Sequence, residues 1–89
     1  MITIDDKKYD LIENFREAFN EDEFKEYFTE YFYKYDYIVG DYAYNKLRLK
    51  GFYDDDRKEA KELNKIKYKD KYINENCAYQ CKFFDLKKI

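Results

Sequence analysis

The stretch YDYIVGDYAYNKLRLKGFY, Tyr35 to Tyr53, holds both glycines of an 89-residue chain that has no proline. No other segment constrains the fold as much. Tyr37-Ile38-Val39 is a short run of strand-forming residues ending at Gly40-Asp41, and Leu47 and Leu49 alternate with Lys46, Arg48 and Lys50. Two strands joined around Asp41 to Asn45 are predicted. The two-residue period of a strand turns Leu47 and Leu49 to the core and gathers Tyr44, Lys46, Arg48, Lys50 and Phe52 on the other face. Gly51 reads as a bulge or a close backbone approach, and Asp36 and Asp41 as turn residues.

Around this centre the remaining elements follow from periodicity. Ile2 and Ile4, a turn at Asp5-Asp6-Lys7-Lys8, then Tyr9, Leu11 and Glu13 predict an opening hairpin. Phe24, Tyr27, Phe28, Tyr31, Phe32 and Tyr35 recur at steps of three and four, which predicts a helix over residues 21–34. Asn20 is its N-cap, Glu23 the third residue of a capping-box-like start, and Phe19 can staple onto Phe24. Residues 54–67 are charge-rich and equally consistent with a frayed helix or a surface loop. Tyr68, Tyr72 and Ile73 predict a second, short helix ending near Asn76, and Tyr79 to Leu86 a closing strand. The expected fold class is α+β: one domain over residues 1–89, a small, mostly antiparallel sheet with one long and one short helix packed on one face.

The mean hydropathy of -1.05 and 43 % charged residues would suit a disordered chain, but 22 % aromatic residues do not. A core built largely from rings is expected instead, since each buries roughly 150–250 Å². Residues 1–44 carry 5 basic and 12 acidic side chains, and residues 45–89 carry 13 and 8. Such halves either fold onto each other, so that the charges interleave, or leave a basic patch for an anionic partner. With no apolar run of membrane-spanning length and no leader pattern after Met1, a soluble, cytoplasmic protein is expected.

Histidine is absent, which removes Ser-His-Asp and Cys-His nucleophile activation. Two glycines cannot build a phosphate-cradling loop of the usual kind. Cys77 and Cys81, spaced C-x3-C, would need two further ligands for zinc and do not match the C-x-x-C redox spacing, so a structural role for these thiols is the main expectation. Asp54-Asp55-Asp56 reads as a solvated acidic turn, with no EF-hand spacing after it.

The run KYDYIVGDYAYNKLRLKGFY, the helix start FNEDEFKE and the segment CAYQCKFFDL together resemble the YutD-like family of small Gram-positive bacterial proteins, over nearly all of Tyr9 to Leu86. Tyr42 stands where that family commonly has tryptophan, and Ala43 and Gln80 where it often has glycine. The resemblance implies a small α+β fold and a cytoplasmic setting. It brings no established activity, cofactor or catalytic residue.

Without catalytic parts, the reading is a non-enzymatic binding or regulatory module that contacts a protein partner through Tyr42, Tyr44, Arg48 and Phe52. The alternative is RNA or single-stranded DNA binding on the same strand face, with Lys46, Arg48 and Lys50 on phosphates and Tyr44 stacking on a base. The plainer reading, which outweighs both, is that a helix covers this face or that it is a solvated strand whose lysines guard it against edge pairing. A small enzyme built on Asp41 or Cys81 is a third expectation. No cofactor, metal, membrane or small-molecule substrate is expected.

Overall fold

Two hairpins that do not pair with each other are joined by the last strand of the chain. The computed structural model describes residues 2–4, 6–43, 46–58, 64–76 and 82–89. Strand β1 (Ile2–Ile4) pairs antiparallel with β2 (Lys7–Phe15), and β3 (Tyr37–Ala43) with β4 (Lys46–Phe52). Strand β5 (Phe83–Lys88) lies between β2 and β3, antiparallel to both, which gives a five-stranded sheet of order β1-β2-β5-β3-β4.

Both predicted hairpins are present, with strands that extend into the residues expected to turn. Lys7 and Lys8 already belong to β2, and Asp6 takes the left-handed backbone conformation, φ 66°, that a short turn needs and aspartate tolerates. Gly40 and Asp41 are not turn residues: they pair with Leu49 and Arg48 inside the β3/β4 ladder. Gly40 has a different task. A Cβ on it would lie 2.1 Å from Cζ of Phe84, and one on Gly51 would lie 2.2 Å from Cδ2 of Tyr35. Each glycine is the seat of an aromatic ring laid flat against the sheet.

Helix α1 (Glu21–Tyr27) begins as its sequence indicates. Asn20 Oδ1 accepts the Glu23 N–H at 3.0 Å, and the Phe19 and Phe24 rings meet at 5.6 Å across the cap. The helix stops far short of residue 34, however. Phe28 is extended (ψ 124°), Thr29 is extended as well, and only a 3-10 turn at Glu30–Phe32 follows. The rings explain the break. Phe24 packs edge-on to Phe84 of β5, Phe28 to Tyr9 of β2, and Tyr35 onto Gly51 and Tyr53 toward the far edge of the same face. A straight 14-residue helix, roughly 21 Å long, would keep these rings in one line. The non-helical step at Phe28 and Thr29 lets them spread over three strands, β5, β2 and β4.

The second helix, α2 (Lys69–Asn76), is short as expected, but it does not share a face with α1. Tyr72 meets Phe52 at 5.8 Å, whereas Phe24 meets Phe84, and the register puts Phe52 and Phe84 on opposite sides of the sheet. The α1 side holds the aromatic core, with Tyr9, Phe24, Ile38, Phe84 and Leu86 at its centre. The α2 side buries Val39 and Phe52 beside two carboxylates, Asp41 and Asp85. In the segment left open from the sequence, Tyr53 bridges Lys65 in parallel and a 3-10 turn covers Ile66–Tyr68. Residues 59–63 and Tyr79-Gln80 lie outside the described residues, and β5 starts at Phe83.

Candidate functional site

The strand face nominated from the sequence is partly closed. Tyr44 lies outside the described residues, as do Cys77 and Cys81. Lys46 is exposed, but Phe52 is fully buried under Tyr72. Arg48 gives a 2.7 Å ion pair to Asp41, whose carboxylate has no exposure. That hydrogen bond raises the Arg48 pKa further above its already high value. Lys50 reaches Asn64 at 3.3 Å, and its ammonium also sits 5.7 Å from the centre of the Phe52 ring. Tyr42 points to the other side of the sheet, the side of Leu47 and α1. The five described residues therefore do not form one open basic and aromatic platform, and Phe52 is a core residue.

Beneath α2 the polar groups form a closed cluster. Lys69 donates to Glu13 and lies 3.4 Å from Asp85 Oδ2. Burial opposes the Lys69 charge, yet the bond to Glu13 and the charge of Asp85 outweigh it and raise its pKa. Burial in turn pushes the Asp85 carboxyl up to about 6 against the pull of Lys69. Asp41, read as a turn residue or catalytic carboxylate, is instead the buried partner of Arg48. The acidic triplet closes a loop: Asp54 N–H donates to Asp36 and Asp55 accepts the Lys67 N–H.

Two features escaped the sequence reading. The first is the outer edge of β2. β1 covers only Lys7 to Tyr9, and among the described residues nothing pairs with the outer edge from Asp10 to Phe15. Leu11, Ile12 and Phe15 are exposed there, Ile12 at 49 %, and the register shift between Leu11 and Glu13 marks Ile12 as the inserted residue of a bulge. Apolar residues at Leu11, Ile12 and Phe15 fall on both parities of the strand, which is the signal that some of them must face water.

The second is a pocket of about 330 Å³ where β2 gives way to α1. Its walls include Glu17, Phe19, Asn20, Glu23, Tyr42 and Lys82. Arg16 and Glu17, both left-handed at φ 58° and 54°, make the sharp turn into it. Asn14 holds that turn, accepting the Phe19 N–H on Oδ1 at 2.9 Å. Glu23, expected only to close the helix start, accepts the Tyr42 hydroxyl, and the Lys82 ammonium lies 4.3 Å above the Tyr42 ring. Burial and the Glu23 bond both raise the Tyr42 pKa, so the ring stays neutral. Tyr42 was legible as a candidate, but Glu17, Glu23 and Lys82 come from three separate segments and were not.

Among the described residues no group of three or more carboxylates or thiols is placed to hold a metal ion, and no helix is long and apolar enough to cross a membrane. Comparison with known proteins gives a consistent result. The family model described as "Putative antitoxin YutD-like" matches residues 3–87. A Bacillus subtilis (strain 168) protein described as "Putative antitoxin YutD" is 46 % identical over 89 residues, which span all of this chain and 98 % of that protein. The solution NMR structure of protein yutD from B. subtilis superposes with a TM-score of 0.84 at 46 % identity, covering all of this chain and 81 % of that one.

Proposed function

Given that this chain belongs to the YutD-like family, we propose that it is a non-enzymatic protein-binding module of the antitoxin type, acting in the cytoplasm by covering a partner protein. The observation that carries this reading is the outer edge of β2 from Asp10 to Phe15, which no strand pairs with among the described residues. An outer strand edge without a strand neighbour among the described residues, together with exposed Leu11, Ile12 and Phe15, offers a partner both a hydrogen-bonding ladder and apolar contact. Tyr42 and Lys46, nominated from the sequence, lie outside that edge and serve as further contact points. Nucleic-acid binding draws less support, because a stacking platform needs open rings and free cations while Phe52 is buried and Arg48 is held by Asp41.

Capture from a lysate of the encoding organism tests the reading, with Ile12→Glu and Phe15→Glu as controls whose folding is checked by amide dispersion. The wild-type chain should recover a protein that the two variants lose. Expressed alone, that protein should arrest growth, and co-expression with the wild-type chain should relieve the arrest. Equal recovery by all three chains, or a recovered partner without toxicity, would overturn the reading.

A further inference from the structure

The pocket beside Tyr42 has the parts of a cation site. Two carboxylates, Glu17 and Glu23, stand against one ammonium, Lys82, so the walls carry a net negative charge. Tyr42 supplies a neutral ring face, and that face already attracts a cation: Lys82 Nζ sits 4.3 Å from its centroid. The ring is fixed rather than free, because its hydroxyl is tied to Glu23. At about 330 Å³ the cavity lies at the lower end of small-ligand pockets, roughly 300–1,000 Å³, ample for one long side chain. The backbone around it is strained, with two consecutive non-glycine residues in the left-handed region, a costly arrangement that clusters at functional sites.

A planar guanidinium suits these walls better than a compact ammonium. It can stack on the Tyr42 ring while its fork of donors meets carboxylates at the rim, and it is the more weakly hydrated of the two cations. We propose that this pocket is a guanidinium site that receives an arginine side chain of the partner protein, with Tyr42 as the stacking wall, Glu17 and Glu23 as acceptors, and Lys82 as an internal stand-in that the arginine displaces. The proposal rests on the protein-binding reading above and names the chemistry by which the partner is recognised. The chain leaves the outer edge of β2, which no strand pairs with among the described residues, and turns at Arg16 and Glu17 into the pocket, so a partner strand on that edge would bring its next residues close to the site.

Titration of the 15N-labelled full chain with acetyl-arginine-amide tests it, with acetyl-citrulline-amide as the neutral isostere and acetyl-lysine-amide as the ammonium control. Saturable shifts are expected at residues 17–23, Tyr42 and Lys82 with the arginine amide, weaker ones with the lysine amide, and none with citrulline. Lys82→Gln, at an exposed position, should tighten arginine-amide binding about two- to fivefold by freeing the ring face. Glu23→Gln should weaken it by a similar factor or more. Equal response to citrulline, no saturable response, lysine binding as tight as arginine, or no tightening in Lys82→Gln would each overturn the assignment. The two readings fail separately. A toxic partner captured by a chain that ignores arginine amide would remove the pocket alone, while arginine-amide binding without such a partner would remove the antitoxin reading and leave the guanidinium site.

Discussion

At the scale of single residues, the two glycines do the most specific work, and neither does it through backbone freedom, since no glycine has positive φ. Gly40 is empty space for the Phe84 ring, which is itself fully buried between Phe19 at 5.1 Å and Phe24 at 6.0 Å. Adding one methyl there overpacks a core whose rings have nowhere to move. Gly40→Ala should lose about 1–3 kcal/mol in chemical denaturation. Phe84→Leu in the Gly40→Ala background should then cost much less than Phe84→Leu alone, because the pair shares one volume. Strictly additive losses would show that Gly40 is not a ring seat.

At the scale of elements, α2 is held on the sheet by charge as much as by apolar contact. Among its described side chains only Tyr72 and Ile73 are half-buried and apolar, while Lys69 anchors its first turn to Glu13 and Asp85. Asp85 carries the pH dependence of this contact. Its pKa is raised by burial from the ordinary 3.8 to about 6, so the folded state binds the proton more tightly than the unfolded state. The contribution of Asp85 to stability is therefore most favourable below about pH 4 and falls as pH rises through 6, by an amount on the order of 3 kcal/mol. Asp85→Asn should remove that decline: the difference in unfolding free energy between variant and wild type should change steadily from pH 4 to 7. A difference that stays flat over this range would mean that Asp85 does not titrate there.

At the scale of the whole molecule, the topology makes the last strand the one that holds the rest together. β5 is the only strand paired with both hairpins among the described residues, and an isolated two-stranded hairpin is marginal in water. A chain ending at Lys82 should therefore show collapsed amide dispersion and no cooperative thermal transition, and a synthetic peptide of residues 83–89 should restore part of both. Cooperative unfolding of the truncated chain would contradict this account. The same topology answers the charge asymmetry between the halves. Acidic side chains of residues 1–44 meet basic ones of residues 45–89 at Asp41 with Arg48, Asp36 with Arg57 and Glu13 with Lys69. The halves interleave, as one of the two readings of the sequence held.

The sequence by itself determined the features that rest on local physics. The two hairpins follow from alternation, the start of α1 from Asn20 and Phe19, the shortness of α2 from its few apolar positions, and the ring-built core from composition. The family, too, was legible in the run from Lys34 to Tyr53. Tertiary structure alone decided where α1 ends, because Phe24, Phe28 and Tyr35 satisfy a helical period yet must reach different strands. It also decided that α2 lies opposite α1, that Phe52 is covered, and that Asp41 pairs with Arg48 inside the ladder instead of closing a turn. The candidate pocket depends on it most. Glu17, Glu23, Tyr42 and Lys82 lie up to 65 positions apart in the chain, and only the packing of α1 against the ends of β2, β3 and β5 brings their charges and one ring to a common cavity.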